Sequence, residues 1–175
     1  SSDLIFARPP KPAPRAVAID GILSAVIEAV RPMASARDAR LECSRPPAPV
    51  EVFVDEAHVI EAVRLLTLNA LEAEAAGGRV RLEARRREAL GSAPRCEVVV
   101  ADAGPGMDPD TLRRAFDPFF SGREAGRGIG LGLPKAWRLV EINDGTLAVD
   151  TAPGRGTRGT ISLPLAVKAS PGCPV

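Results

Sequence analysis

Two glycine-rich segments constrain this sequence more than any other feature. The first, Asp102–Gly106, places a carboxylate directly before a Gly-x-Gly turn. The second, Gly128–Leu133, alternates glycine with apolar residues and directly precedes a helical pattern over Pro134–Ile142. Glycine lets a ligand approach the backbone closely, and the free N–H groups at a helix N-terminus favour phosphate. The sequence therefore predicts a nucleotide pocket, with a carboxylate for the base at one end and a glycine cradle for the phosphates at the other.

Composition indicates an ordinary globular domain and argues against several other classes. Hydrophobic residues make up 45% of the chain and charged residues 26%, which is typical of soluble domains. The net charge of +1 gives no reason to expect a nucleic-acid or membrane surface. No apolar run reaches the length of a membrane span. We therefore expect this chain to be cytoplasmic, although a longer parent protein could still be membrane-anchored.

Hydrophobic periodicity predicts an α+β fold. We expect a two-layer α/β sandwich in which a mixed, mostly antiparallel sheet of about five strands packs on three helices, with a mobile lid over residues 117–127. Asp20 and Asp55 are the predicted N-caps of the first two helices, the second of which ends at Gly77–Gly78. Asp108 and Pro109 carry the N-cap and N1 signals of a short helix through Ala115. The predicted strands are a single strand at Ala16–Ile19 and three pairs, namely Arg37–Ser44 with Val50–Val54, Arg79–Arg85 with Cys96–Ala101, and Thr146–Thr151 with Thr157–Leu165. We place a proline-rich linker at residues 1–14, the folded domain at 15–168 and a tail at 169–175.

Asn69 is the polar residue that the helical pattern explains least well. It lies next to the apolar stripe of the second predicted helix, so its amide would reach the edge of the core. Asn is unfavourable inside a helix because its side chain competes for backbone hydrogen bonds. A surface position would account for Asn69 on its own, whereas the downstream Asp102 motif favours a place in a site.

The motifs gain specificity from their order. The glycines of Gly128–Leu133 lack the preceding strand and following acid of a dinucleotide fingerprint, and the sequence contains no P-loop. Five elements follow one another along the chain, namely Asn69, Asp102–Gly106, Phe116–Phe120, Gly128–Leu133 and Gly154–Thr157. Together they resemble the catalytic and ATP-binding domain of a bacterial sensor histidine kinase, in the superfamily shared with gyrase, the Hsp90 chaperone and MutL. The start at Phe6–Pro9 resembles the segment after the dimerisation helices of nitrogen-regulator-type kinases.

The resemblance implies a role for individual residues. Asp102 would accept a hydrogen bond from the adenine amine, and Asn69 would be the catalytic residue that binds Mg²⁺. Arg123 and Arg127 on the lid are candidates for phosphate contacts, and the alternative is that they are solvated lid charges. The resemblance also implies nucleotide contacts for the remaining residues of the matching motifs: Gly104, Gly106, Gly128, Gly130, Leu131, Gly132, Leu133 and Thr157.

The sequence departs from the family pattern at three places. Leu65 stands where a second Asn is common, which leaves part of the Mg²⁺ or phosphate shell unfilled. Gyrase-like ATPases and anti-sigma serine kinases place a general-base Glu there, a role that Leu65 cannot fill. The first glycine motif reads Asp-Ala-Gly in place of Asp-Asn-Gly, and Asn143–Asp144 replaces the usual His-Gly, which we interpret as a turn variation.

These observations lead to one expected function and its alternatives. The chain is expected to bind Mg²⁺ and ATP and to donate the γ-phosphate to a His on a dimerisation domain absent from this chain. That phosphate would pass to the receiver domain of a response regulator, and the full-length protein would be a homodimer. His58 is followed by Val59 and not by an acid, so we interpret it as structural or surface-exposed. The alternatives are a degenerate nucleotide-binding or docking module and, least favoured, a self-contained ATPase.

Overall fold

The computed structural model describes residues 11–117 and 132–167. In chain order its elements are β1 (Arg15–Ala18), α1 (Ile19–Ala36), β2 (Arg40–Ser44), β3 (Glu51–Val54), α2 (Glu56–Ala73), β4 (Arg79–Ala89), β5 (Ser92–Asp102), α3 (Pro109–Ala115), α4 (Gly132–Glu141), β6 (Thr146–Thr151) and β7 (Thr157–Pro164). Three predicted parts lie wholly or largely outside the described residues, namely residues 1–10 of the linker, residues 118–127 of the lid and the whole tail.

Within the described ranges, the main sheet has five strands in the order β2-β4-β5-β7-β6. Strand β2 runs parallel to β4, and the other neighbours are antiparallel. Strands β1 and β3 form a separate two-stranded antiparallel sheet. The predicted α+β fold with a mixed, mostly antiparallel sheet is therefore confirmed, as are the two predicted hairpins β4–β5 and β6–β7.

The predicted pairing of Arg37–Ser44 with Val50–Val54 is wrong. The first segment forms β2 beside β4, and the second forms β3 beside β1. Three prolines, Pro46, Pro47 and Pro49, separate the two strands. Proline fixes φ and lacks an N–H donor, so this connection does not close a tight hairpin but carries the chain from one sheet to the other.

The core lies between one face of the main sheet and the three long helices of the described residues. On the sheet, alternate residues of β4 are buried, such as Val80 and Leu82, whereas the run Val98–Val100 of the central strand β5 is buried throughout. The buried residues that α1, α2 and α4 contribute to this core recur at helical spacing: Ile22, Leu23, Val26, Val30, Val59, Val63, Leu66, Ala70, Ala136, Leu139 and Val140. The short α3 buries none of its residues. The fold is thus the predicted two-layer sandwich, and the short helix predicted to end at Ala115 is also present.

Capping residues set the start of two helices as predicted and of one differently. The Asp55 carboxylate accepts the His58 N–H at 3.3 Å at the start of α2, and Asp108 accepts the Thr111 N–H at 2.7 Å at the start of α3. Asp20 does not cap α1, because the helix begins at Ile19 directly after β1. Its negative charge instead lies in the first helical turn, where it interacts favourably with the helix dipole. Helix α2 ends at Ala73, a turn before the predicted glycines.

Asn143 joins the start of α2 to the end of α4. It is 5% exposed, and its Oδ1 accepts the Asp55 N–H at 2.7 Å. Its Nδ2 donates to the Leu139 carbonyl at 2.8 Å and lies 3.2 Å from His58 Nδ1. The replacement of the usual His-Gly therefore does more than vary a turn, since Asn143 ties two helices together. His58 was expected to be structural or surface-exposed, and its contact with Asn143 favours the structural role.

Replacing Asn143 by Ala is expected to lower the free energy of unfolding by about 3 kcal/mol. The change removes the partners of the part-buried Asp55 N–H and of the buried Leu139 carbonyl. Urea unfolding followed by circular dichroism measures the change. Asp144→Asn is the matched control in the next position, where Asn tolerates the backbone φ of +57° and a change below about 0.5 kcal/mol is expected. Equal unfolding midpoints for the two variants would show that the Asn143 hydrogen bonds contribute nothing.

Candidate functional site

Helices α2 and α4 lie side by side and bring Asn69 against the start of α4. A Cβ atom built on Gly132 would lie 3.1 Å from Asn69 Oδ1 and 3.2 Å from its Nδ2. The half-buried amide of Asn69 therefore lies directly beside the backbone from which α4 begins. Leu133, the next residue, is buried in the core and anchors this first turn. A helix N-terminus attracts phosphate, and an amide oxygen is a suitable ligand for a hard cation. The α4 N-terminus and the Asn69 amide therefore form one potential site for a phosphate and its metal ion.

Asp102 ends strand β5 beside Thr157, its register partner in β7. Its Oδ1 accepts the Gly104 N–H at 2.9 Å, and the side chain is half-buried. Burial and, after it, the charge of Glu74 raise the pKa of Asp102, against the backbone hydrogen bonds from Gly104 and Thr157. A cleft of about 290 Å³ opens at this end of the sheet, lined by Ala101, Asp102, Asp150, Thr151, Ala152, Arg155, Gly156, Thr157 and Arg158.

The turn after Asp102 is packed between α2 and the β6–β7 connection. A Cβ on Gly104 would lie 2.6 Å from the Ala73 carbonyl oxygen, so no side chain fits there. Gly106, at the other end of the turn, lies against the carbonyl of Ala152, and the Pro105 carbonyl accepts the Gly154 N–H at 2.7 Å. The predicted Gly-x-Gly turn is thus held by backbone contacts on both sides. These contacts fix the position of Asp102 at the end of β5.

Two polar residues that the sequence did not single out also belong to this region. Thr151 accepts the Met107 N–H at 3.0 Å and donates to the Gly156 carbonyl at 2.9 Å, while its Oγ lies 2.9 Å from that of Thr157. Glu74, at the end of α2, accepts the Ala103 N–H at 2.5 Å. Neither a Thr in an alternating strand nor a Glu after a helix carries a sequence signal, because their partners come from distant segments.

The structure brings together only part of the predicted set. Two groups form near the C-terminus of α2. Asn69, Gly132 and Leu133 meet on the flank of the helix that faces α4. The second group lies beyond the last residue of the helix: Asp102, Gly104, Gly106 and Thr157. The remaining predicted contacts lie outside the described residues: Arg123, Arg127, Gly128, Gly130 and Leu131. Their roles stay predictions.

Leu65, one turn before Asn69, packs against the hydrophobic core. It presents no polar atom to a phosphate or a metal. The polar residue one turn further back, Glu61, is already bound, since it accepts from Lys135 of α4 at 3.2 Å and from Arg64 Nε at 2.7 Å. Among the described residues, no group of three His, Cys, Asp or Glu side chains could hold a metal ion. A cation that binds beside Asn69 would therefore need the oxygens of a phosphate ligand as well, which is how Mg²⁺ commonly binds.

Comparison with known proteins extends these observations. The family model described as histidine kinase-, DNA gyrase B- and HSP90-like ATPase matches residues 54–167. The sensor-like histidine kinase SenX3 of Mycobacterium tuberculosis is 31% identical over 157 residues, which cover 87% of this chain and 37% of SenX3. The sensory histidine kinase/phosphatase NtrB of Rhodobacter capsulatus is 39% identical over 111 residues, covering 59% of this chain and 30% of NtrB. The chain thus spans about a third of the length of these curated relatives.

Solved structures share the fold. Full-length ShkA in complex with AMPPNP matches with a TM-score of 0.78 and 28% identity, over 97% of this chain and 36% of ShkA. The mycobacterial sensor histidine kinase MprB matches with a TM-score of 0.71 and 28% identity, over 87% of this chain and 98% of the MprB chain. Within the described residues, none of the helices combines the length and apolar character needed to cross a membrane.

Proposed function

Since this chain belongs to the histidine kinase-, DNA gyrase B- and HSP90-like ATPase family, we propose that it is the ATP-binding catalytic domain of a two-component sensor histidine kinase. It would bind Mg²⁺ and ATP and donate the γ-phosphate to a His on a dimerisation domain. The observation that supports this most is the arrangement around α2. A carboxylate turn lies at the end of the helix, and an amide lies beside the start of α4 on its flank.

Asp102 would select the base. Its carboxylate is held by the Gly104 N–H at 2.9 Å and lies at the edge of the cleft, where it can accept a hydrogen bond from an exocyclic amine. A carboxylate accepts such a bond strongly because the bond is charge-assisted. Guanine carries a carbonyl oxygen at the corresponding position, which would repel the carboxylate. The site would therefore favour adenine.

Asn69 and the start of α4 would hold the phosphates. Phosphoryl transfer depends mainly on positioning and on neutralising charge. The Asn69 oxygen would bind Mg²⁺, which would supply the charge that the phosphates need, and the α4 N-terminus would donate N–H groups. We propose that Gly128, Gly130, Leu131, Arg123 and Arg127 complete this end of the pocket.

The partners follow from the reaction. The acceptor His would lie on a dimerisation domain that precedes the linker at residues 1–14, and the phosphate would then pass to a receiver domain. The full-length protein would be a homodimer, and this chain would lie in the cytoplasm. The catalytic domain would span residues 15–168, followed by a tail at 169–175. The apolar Leu65 beside Asn69 favours one competing function, a degenerate module that serves in docking without phosphoryl transfer.

Calorimetric titration with ATP, with and without Mg²⁺, tests the proposal. In the presence of Mg²⁺, Asn69→Ala is expected to weaken ATP binding about tenfold, because it removes one metal ligand. Without Mg²⁺ the same variant should bind like the wild-type chain.

Arg64→Ala is the matched control on α2, since its described partner is Glu61 and not the phosphate site. It should bind ATP like the wild-type chain in both conditions. A wild-type chain that binds no adenine nucleotide would support the docking module instead. A wild-type chain whose affinity ignores Mg²⁺ would refute the role of Asn69.

A further inference from the structure

A buried carboxylate lies directly behind the turn that carries Asp102. Glu74 is 8% exposed and follows the last residue of α2. Its backbone is held on both sides, because its N–H donates to the Ala70 carbonyl at 3.2 Å and its carbonyl accepts from Arg37 Nη2 at 3.2 Å. The position of this side chain is therefore set by the end of the helix.

The Glu74 side chain contacts the base end of the candidate site. Its Oε1 accepts the Ala103 N–H at 2.5 Å, and Asp102 Oδ1 accepts the next N–H, that of Gly104, at 2.9 Å. Two successive backbone donors of the turn are thus each bound by a carboxylate. The first bond fixes the peptide that follows Asp102, and the second fixes the Asp102 side chain.

The space around Glu74 leaves the carboxylate little freedom. A Cβ atom on Gly78 would overlap Glu74 Oε2 and would lie 2.8 Å from Glu74 Cβ. On the other side, Gly104 lies against the Ala73 carbonyl. The glycine at position 78 therefore makes room for the carboxylate, and the carboxylate holds the turn.

This arrangement has an electrostatic cost. A buried carboxylate beside another carboxylate is unfavourable, because like charges repel strongly where water is scarce. An apolar side chain of similar size at position 74 would avoid this repulsion, but it would leave the Ala103 N–H without its acceptor. The Glu74 carboxylate therefore does more than fill the space.

We propose that Glu74 is a positioning residue of the base pocket. By binding the Ala103 N–H it sets the direction in which Asp102 presents its carboxylate to the exocyclic amine of adenine. This inference rests on the proposed function, and it adds a residue from α2 to the recognition of the base.

The test compares the affinity of the chain for ATP with that for purine riboside 5′-triphosphate, which lacks the exocyclic amine. Glu74→Ala is expected to lower the preference for ATP about tenfold, with little change for the analogue, because only the amine contact is misplaced. Glu74→Gln keeps an acceptor oxygen for the Ala103 N–H and should retain most of the preference.

A second variant shows whether the effect of Glu74→Ala comes from the misplaced carboxylate or from a general loss of folding. Gly78→Ala leaves Glu74 in the sequence but crowds its carboxylate, so it should lower the preference for ATP in the same direction. Thr67→Val is the control, since it removes a different buried hydrogen bond of α2, from Thr67 Oγ1 to the Val63 carbonyl at 2.7 Å. Its preference should equal that of the wild-type chain.

The outcomes separate this inference from the proposed function. A wild-type chain that binds both nucleotides equally overturns the role of Asp102, and the role of Glu74 with it. A wild-type preference that survives in both Glu74→Ala and Gly78→Ala overturns the role of Glu74 alone. Equal weakening for both nucleotides in these variants also overturns it, because a merely structural residue would act on both.

Discussion

Replacing Asp102 by Asn is expected to weaken ATP binding about 100-fold. The charge-assisted hydrogen bond to the adenine amine is lost, and the NH2 group of the Asn side chain, itself a donor, faces the amine. Calorimetry measures the affinity. Purine riboside 5′-triphosphate is the control ligand, since it lacks the amine and its affinity should change little. A loss of similar size for both ligands would mean that Asp102 shapes the pocket without reading the base.

The same substitution should leave the folded chain at least as stable as the wild type. Burial, together with the charge of Glu74, raises the pKa of Asp102 above its ordinary value of 3.8. The folded state therefore binds this proton more tightly than the unfolded state does. The ionised carboxylate consequently costs stability above the folded-state pKa, and this cost is relieved as the pH falls through that pKa. An Asn at this position avoids the cost, so thermal unfolding of Asp102→Asn at neutral pH should occur at or above the wild-type temperature.

Protonation of Asp102 at low pH should relieve a cost in stability but weaken the recognition of adenine. As the pH falls through the raised pKa of Asp102, the protonated carboxyl stops accepting from the amine. The preference for ATP over the amine-free analogue should then decline at a higher pH than an ordinary aspartate would give. The comparison cancels the protonation of the phosphates, which both ligands share. A preference that stays constant down to pH 4 would contradict the assignment.

Replacing Gly156 by Ala is expected to lower the free energy of unfolding by about 3 kcal/mol. Gly156 has a φ of +70°, and an added Cβ atom would overlap the carbonyl oxygen of Asp102 and lie 2.9 Å from the Cα of Ala103. The substitution thus combines backbone strain of about 1–2 kcal/mol with a steric conflict at the base end of the pocket. Chemical unfolding measures the first effect, and ATP affinity should fall as the Asp102 turn is displaced.

Gly154→Ala is a closely matched control in the same connection. Gly154 has a φ of +76°, but among the described residues nothing lies within 4 Å of its added Cβ atom. It should therefore show the strain alone, about 1 kcal/mol, with ATP affinity unchanged. If the two variants were equally destabilised, the contact between Gly156 and the Asp102 carbonyl would have no energetic weight.

The sequence predicted most of the fold because its signals are local. Asp55 and Asp108 cap the helices that they precede. Alternation marks β4, β6 and β7, and a continuous apolar run marks β5. The partners of β2 and β3 were predicted wrongly, since alternation indicates that a segment is extended but carries no information on which strand it joins. Asp20 was misassigned as a cap because β1 runs directly into α1, so that the last residue of the strand, Ala18, occupies the N-cap position.

The candidate site was likewise predicted from the sequence only in part. The family was identified from the order of five elements, because each supplies its own chemistry at a recognisable spacing: Asn69, Asp102–Gly106, Phe116–Phe120, Gly128–Leu133 and Gly154–Thr157. Only the tertiary structure placed Gly132 against the Asn69 amide and Thr151 between Gly156 and Met107. It also buried Asn143 between two helices and Glu74 behind the Asp102 turn. Those contacts join residues far apart in the chain, and a polar residue whose partner lies in a distant segment has no periodicity by which the sequence can reveal it.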